Sequence, residues 1–87
     1  MMNKFQNLME SATPVEVIID TGDDDSHYNS IRGIITNVGR DYIELLRAAY
    51  QDEKSRYGVG EVRVVIPIIR IAEINYYHNE HEKPKKE

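Results

Sequence analysis

The sequence predicts an all-β domain, a small five-stranded antiparallel barrel with one short helix at its N-terminus. Two observations carry this. The 87 residues hold eleven isoleucines and seven valines against three leucines, and β-branched side chains favour pleated strands over helices. These residues also fall in short runs separated by polar or glycine-bearing turns, the spacing of antiparallel neighbours in a meander or small barrel.

In chain order, Phe5, Leu8 and Met9 stand at i, i+3 and i+4, so Asn3 to about Glu10 reads as a short amphipathic helix. Pro14 is expected to stop it, because the residue before proline is pushed out of the helical region. Such a helix must lie on something to persist. The strand runs are Val15–Asp20, Ile31–Val38, Asp41–Ala49, Glu61–Pro67 and Ile68–Tyr77. The turn after the first is acidic, the turn after the second is Gly39-Arg40, and Gln51–Gly60 is charged and expected to project as a long hairpin connection. Gly33 inside the second run marks a sharp bend. Pro67 is expected to break or turn the last apolar stretch, since it has no amide to give a ladder. Around it, Val62, Val64, Ile66 and Ile68 share one alternating face, and Val65 and Ile69 the other. A small barrel buries one face, so the second is expected to be covered by another chain.

The chain is short enough for one domain, assigned to residues 1–77, with a polar, disordered tail over 78–87. A domain of this size buries only about 60% of its unfolded surface. It has no cysteine to staple it, which makes oligomerisation an expected source of stability. No run approaches the ~18 apolar residues of a membrane span, and no signal segment is evident, so a cytoplasmic protein without a membrane partner is expected. The net charge is −4. One lysine against six acids gives residues 1–30 a net −5, whereas seven basic and six acidic residues give 31–77 a net +1. That is not the footprint of a duplex-DNA binder, but a binder of single strands through stacking and a few arginines remains open.

The residues resemble the Sm-like family (Sm, LSm and bacterial Hfq proteins) over about residues 5–77, as a divergent bacterial or phage-type member. Val15-Glu16-Val17-Ile18-Ile19 followed by Gly33-Ile34-Ile35-Thr36-Asn37-Val38-Gly39-Arg40-Asp41-Tyr42-Ile43-Glu44-Leu45 is similar to the first motif of that family. Ile66-Pro67-Ile68-Ile69-Arg70-Ile71-Ala72-Glu73-Ile74 keeps the apolar spacing of the second. Phe5-Gln6-Asn7-Leu8-Met9 before Pro14-Val15 is similar to the capping helix of Hfq. Pro67-Ile68 replaces the Arg-Gly pair of Sm proteins and the Lys-His pair of Hfq.

The resemblance implies an Sm-like, SH3-like barrel that closes with its copies into a homo-oligomeric ring of five to seven subunits and binds single-stranded RNA at its inner loops. It implies RNA contacts at Arg40, Asp41 and Tyr42, in the turn facing the central hole, and at Arg70. There an aromatic ring stacks on a base and an arginine offers a charged fork to phosphate. The plainer alternatives are that Asp41 is a turn former, that Tyr42 begins a core-facing strand, and that Arg70 pairs with a neighbouring subunit. A structural or protein-interaction module that has lost RNA binding is the rival function, favoured by the replaced pair and the acidic first third.

No catalytic, metal or cofactor site is expected. Asp20, Asp23, Asp24 and Asp25 lack the alternating spacing of a calcium loop. His78 and His81 fall short of a zinc ligand set. Neither a nucleophile–base pair near His27 nor a phosphate-binding glycine loop at Gly58-Val59-Gly60 is evident, so the protein is not expected to be an enzyme.

Overall fold

The computed structural model of the chain describes residues 3–22 and 28–77. Asp23, Asp24, Asp25, His27, His78, His81 and the rest of the tail lie outside these described residues. The elements are α1 (Lys4–Glu10), β1 (Val15–Asp20), β2 (Tyr28–Val38), β3 (Tyr42–Ala48), α2 (Gln51–Tyr57), β4 (Glu61–Pro67), a 3-10 turn (Ile68–Arg70) and β5 (Ile71–Tyr76). The strands form one antiparallel sheet in the order β4-β3-β2-β1-β5. Its outer strands, β4 and β5, do not pair with each other, so the expected all-β fold is present as an open sheet of five antiparallel strands with two short helices.

Helix α1 is fixed at both ends by local chemistry. The Asn3 side chain accepts from the Gln6 amide at 2.9 Å, and the Gln6 side chain reaches back to the Asn3 amide at 3.4 Å. This reciprocal arrangement satisfies two amides that the first turn leaves without carbonyls. At the other end the Ala12 amide donates to Met9 O at 3.1 Å and the Thr13 amide to Leu8 O at 3.2 Å. That pair of bonds makes a Schellman motif. Ala12 occupies its left-handed position, at φ 53°. The helix thus ends before Pro14 by its own capping bonds.

Strand β2 is the axis of the fold. Its first half pairs with β1, from Tyr28 opposite Asp20 to Gly33 opposite Val15, and its second half pairs with β3, from Ile34 opposite Leu46 to Val38 opposite Ile43. Gly33 stands where the strand passes from one partner to the other. A Cβ there would collide with the Leu46 carbonyl oxygen, so only glycine lets β3 approach this closely. The glycine expected to mark a bend thus stands at the change of partner, and the register irregularity of β2 falls further on, between Ile35 and Asn37.

The core follows the period-2 alternation. Val15 and Val17 of β1, Ile35 of β2, Ile43 and Leu45 of β3 and Ile66 of β4 are buried together, and Leu8 of α1 closes the cluster. Each such side chain contributes about 1.5–3 kcal/mol by leaving water. The opposite face of the β4 run stays uncovered in the single chain: Val65 is 60% and Ile69 88% exposed.

Two expectations need correction. Ile68–Arg70, read as the start of the last strand, form the 3-10 turn that follows Pro67, and the strand proper is Ile71–Tyr76. Residues 51–57, read as part of a polar hairpin connection, form helix α2. Asp52 and Glu53 lie in its first turn, Lys54 and Arg56 in its last, and Gly58 terminates it at φ 66°. These placements suit the helix dipole and the left-handed cap. The helix buries no residue.

Candidate nucleic-acid interface

The turn between β2 and β3 is built by Gly39, Arg40 and Asp41. The Gly39 amide donates to the Tyr42 carbonyl at 2.8 Å, closing the turn. The Tyr42 ring lies over the Gly39 Cα, filling the space a Cβ there would need. Asn37 Nδ2 donates to the Tyr42 hydroxyl at 3.4 Å. The ring is thus laid down along the turn, half-buried, with one face on backbone.

Pro67 ends β4, and the next amide, that of Ile68, donates to the Asp41 carbonyl at 2.9 Å. This bond docks the 3-10 turn against the β2–β3 turn. It sets the 3-10 turn, which Arg70 closes, beside the turn that carries Arg40, Asp41 and Tyr42, so that the two turns make one end together. Arg40 is exposed at that end. The Arg70 guanidinium leans toward β1 instead, with Nη1 3.5 Å from the Asp20 carbonyl, a long and weak contact. Three of the four expected residues therefore share one turn. The fourth is carried beside them with its charged head turned aside.

What this end offers chemically is one aromatic ring, two guanidiniums and one carboxylate. The neighbouring outward position on β3 is acidic, because Glu44 follows Tyr42 by two residues. Its charge is engaged by Arg63 at 3.2 Å and by the Thr36 hydroxyl at 2.8 Å.

Two further clusters are assembled by the fold. On β1, Glu16 accepts from Ser30 Oγ at 2.6 Å and from the Tyr77 hydroxyl at 3.1 Å, with Arg32 Nε 3.7 Å away. The Ser30 bond, then the Tyr77 bond, holds the Glu16 carboxyl below its ordinary value, and the bond to Glu16 pushes the Tyr77 hydroxyl up. At the root of α2, Arg47 meets Glu53 through two bonds of 2.8 and 2.9 Å. The Tyr50 amide donates to the same carboxylate at 2.8 Å. Those donors, Arg47 foremost, draw the Glu53 carboxyl down to about 2. The Arg47 guanidinium also stacks on the Tyr50 ring, 3.9 Å from its centroid. None of Glu16, Ser30, Arg47, Tyr50 or Tyr77 stands out in the sequence as a site residue. Their positions depend on which strands become neighbours, and only the Glu53 placement, three residues after Tyr50, carries a local signal of helix capping.

No protein-family model, curated protein or solved structure matches the chain.

Proposed function

We propose that the chain is an Sm-like barrel subunit that joins its copies edge to edge in a closed ring and holds single-stranded RNA at the end where the β2–β3 turn meets the 3-10 turn. The observation that carries the reading is the bond from the Ile68 amide to the Asp41 carbonyl, which gathers Arg40, Tyr42 and the segment bearing Arg70. The resemblance of residues 5–77 to the Sm-like motifs supports it. So do the two unpaired edge strands, since closing edge on edge removes the exposed ladder groups of both. In this mechanism Tyr42 stacks on a base while Arg40 and Arg70 meet phosphate or a base edge. The ring would place these ends around one opening.

Fluorescence polarisation with uridine-rich and adenosine-rich oligonucleotides at low and moderate salt tests the RNA reading. Tyr42→Ala should weaken binding by about 1–3 kcal/mol through lost stacking. Arg40→Ala should weaken it and flatten the salt dependence. No binding even at low salt, where charges are least screened, would sink it.

A second reading is a protein-interaction module of the same architecture without RNA. It is favoured by Ile69, 88% exposed beside Arg70, and by the turn of Arg70 toward the Asp20 carbonyl rather than outward. The same titration separates the two, because ring assembly without oligonucleotide binding is its outcome.

A further inference from the structure

The chain carries a second concave surface, independent of the turn end just described. It is a groove of about 550 Å³ where β1, β2 and the end of β3 come together, lined by Glu16, Ser30, Arg32, Arg47 and Tyr50 over Ala48 and Ala49. A smaller hollow of about 300 Å³ adjoins it, shares Glu16 and Arg32, and is walled by Tyr77 and Pro14. The larger volume lies in the range of small-ligand pockets, ~300–1,000 Å³.

The groups around this groove are already held in place. Glu16 is held by one bond from Ser30 and one from Tyr77, so it is an anchor for its neighbours that keeps lone pairs for a further donor. Arg32 touches that anchor only through Nε at 3.7 Å, and its side chain is 82% exposed. Among the described residues its two terminal nitrogens have no hydrogen-bond acceptor, so a planar two-pronged donor projects over the groove without a partner. Tyr50 is 53% exposed. One face of its ring is taken by the Arg47 guanidinium, and its backbone is pinned to Glu53. The ring is half open to solvent on its remaining surface, and the cation stacked on it draws electron density from the ring. Such a face suits an electron-rich planar group, and such a fork suits an anion with two oxygens. Arg47 is a poorer anion site than Arg32, because the Glu53 carboxylate neutralises it, three of its N–H groups are bonded, and only 11% of its side chain is exposed.

We infer that this groove binds a nucleotide, with the base on the free face of Tyr50 and the phosphate on the fork of Arg32. Ser30 and Glu16 line the stretch between them, where they meet the hydroxyls of the sugar. The ligand chemistry is that of a planar ring joined to a phosphate, whether free in solution or within a strand.

The full chain, labelled with ¹⁵N, is titrated with adenosine monophosphate, adenosine, inorganic phosphate and a short oligoadenylate, and amide shifts are followed. Adenosine monophosphate should shift the amides of Ser30, Arg32 and Tyr50. Adenosine and phosphate taken singly should each bind at least about tenfold more weakly, because each loses one of two anchors. Arg32→Ala should weaken adenosine monophosphate to the level of adenosine. Tyr50→Leu should weaken it about fivefold or more, and Tyr50→Phe should restore it, as stacking requires. Both positions are exposed, and unchanged shifts elsewhere verify the fold of each variant. Tighter binding of oligoadenylate at the same amides assigns the nucleotide to a strand; equal or weaker binding assigns it to free nucleotide. Arg40→Ala should leave this titration unchanged even where it abolishes RNA binding at the turn end, so the two readings fail separately. The inference is overturned if millimolar adenosine monophosphate leaves these amides unmoved, or if phosphate alone reproduces its effect.

Discussion

Glu53 and Arg47 clasp each other across the start of α2 through two bonds, 2.8 and 2.9 Å long, and this pair is the principal tie between that helix and the sheet. Arg47 is well covered there, with 11% of its side chain exposed, and Glu53 retains 22%. Because α2 buries nothing of its own, its position depends on this clasp and on the bonds around Tyr50.

Loss of the clasp is therefore expected to free the helix without melting the sheet. In Glu53→Gln, amides of α2 should exchange with solvent markedly faster, while those of Ile43 and Leu45 keep their protection. Acid should do the same to the unaltered chain. The Glu53 carboxyl lies near about 2 in the folded state against an ordinary 4.5. Its contribution is thus complete above the ordinary value and fades as pH falls from there toward 2. A carboxyl titration by NMR with a Glu53 midpoint at the ordinary value contradicts this.

The hydroxyl of Tyr77 is one of two that hold Glu16 below its ordinary value. Tyr77→Phe should move the Glu16 midpoint upward, toward the ordinary value, with the Ser30 bond preventing full return. The stabilisation that Glu16 supplies is present above its unfolded value and lost as pH falls. In the variant the contribution should therefore be smaller, and it should be fully lost at a higher pH, although in both chains the loss begins at the same unfolded value. A pH-resolved melting series compares the two.

Ala12 holds a left-handed conformation that costs an L-residue roughly 1 kcal/mol and costs glycine little. Ala12→Gly should raise stability by up to about that amount, although glycine's larger unfolded-state freedom offsets part of it. Urea denaturation with an unchanged m-value measures the gain. A clear loss of stability would contradict the capping geometry.

Gly33→Val should act in the other direction. The added Cβ meets the Leu46 carbonyl, a backbone atom that cannot swing away, and overpacking of this kind costs about 1–3 kcal/mol. For comparison, Leu45→Ala, at a position with 0% exposure, should cost about 2–5 kcal/mol. Either loss is large beside the ~5–15 kcal/mol that holds most small domains together. Chemical denaturation ranks them, with Leu45→Ala the more damaging.

If copies associate through the uncovered side of the β4 run, Val65→Lys should disperse them, because a lysine on a strand edge is costly to cover. Light scattering should then fall to the 10.1 kDa of one chain, with melting by denaturant otherwise little changed. Assembly that survives Val65→Lys places the contact elsewhere.

The strands were legible because their signal is local. Runs of β-branched residues, the glycine at 33 and the proline at 67 each act through backbone preferences that need no knowledge of the fold. Helix α2 was not legible from apolar periodicity, since it has no buried face to encode. Its signature lay in the charge order Asp52-Glu53-Lys54-Ser55-Arg56 and in Gly58. The turn at Arg40–Tyr42 could be placed for the same local reason as the strands. The lean of Arg70 toward Asp20 could not, because it depends on where the end of β1 sits across the sheet. The groove around Arg32 is drawn from three strands and residues on either side, so no stretch of sequence contains its pattern.

Strand β2 is shared by both halves of the sheet, eleven residues in one unbroken run. A chain that peels β1 and β5 away removes the partner from the first half of that strand and loosens the register of the second. The two halves are then poor candidates for separate melting. One sharp transition is expected, with the same midpoint whether it is followed at Tyr76, on the β5 side, or at Tyr42, on the β3 side. In a chain with six tyrosines and no tryptophan, this cooperativity can be read by labelling one tyrosine at a time. A break in β2, such as a proline at Ile34, would split the transition in two.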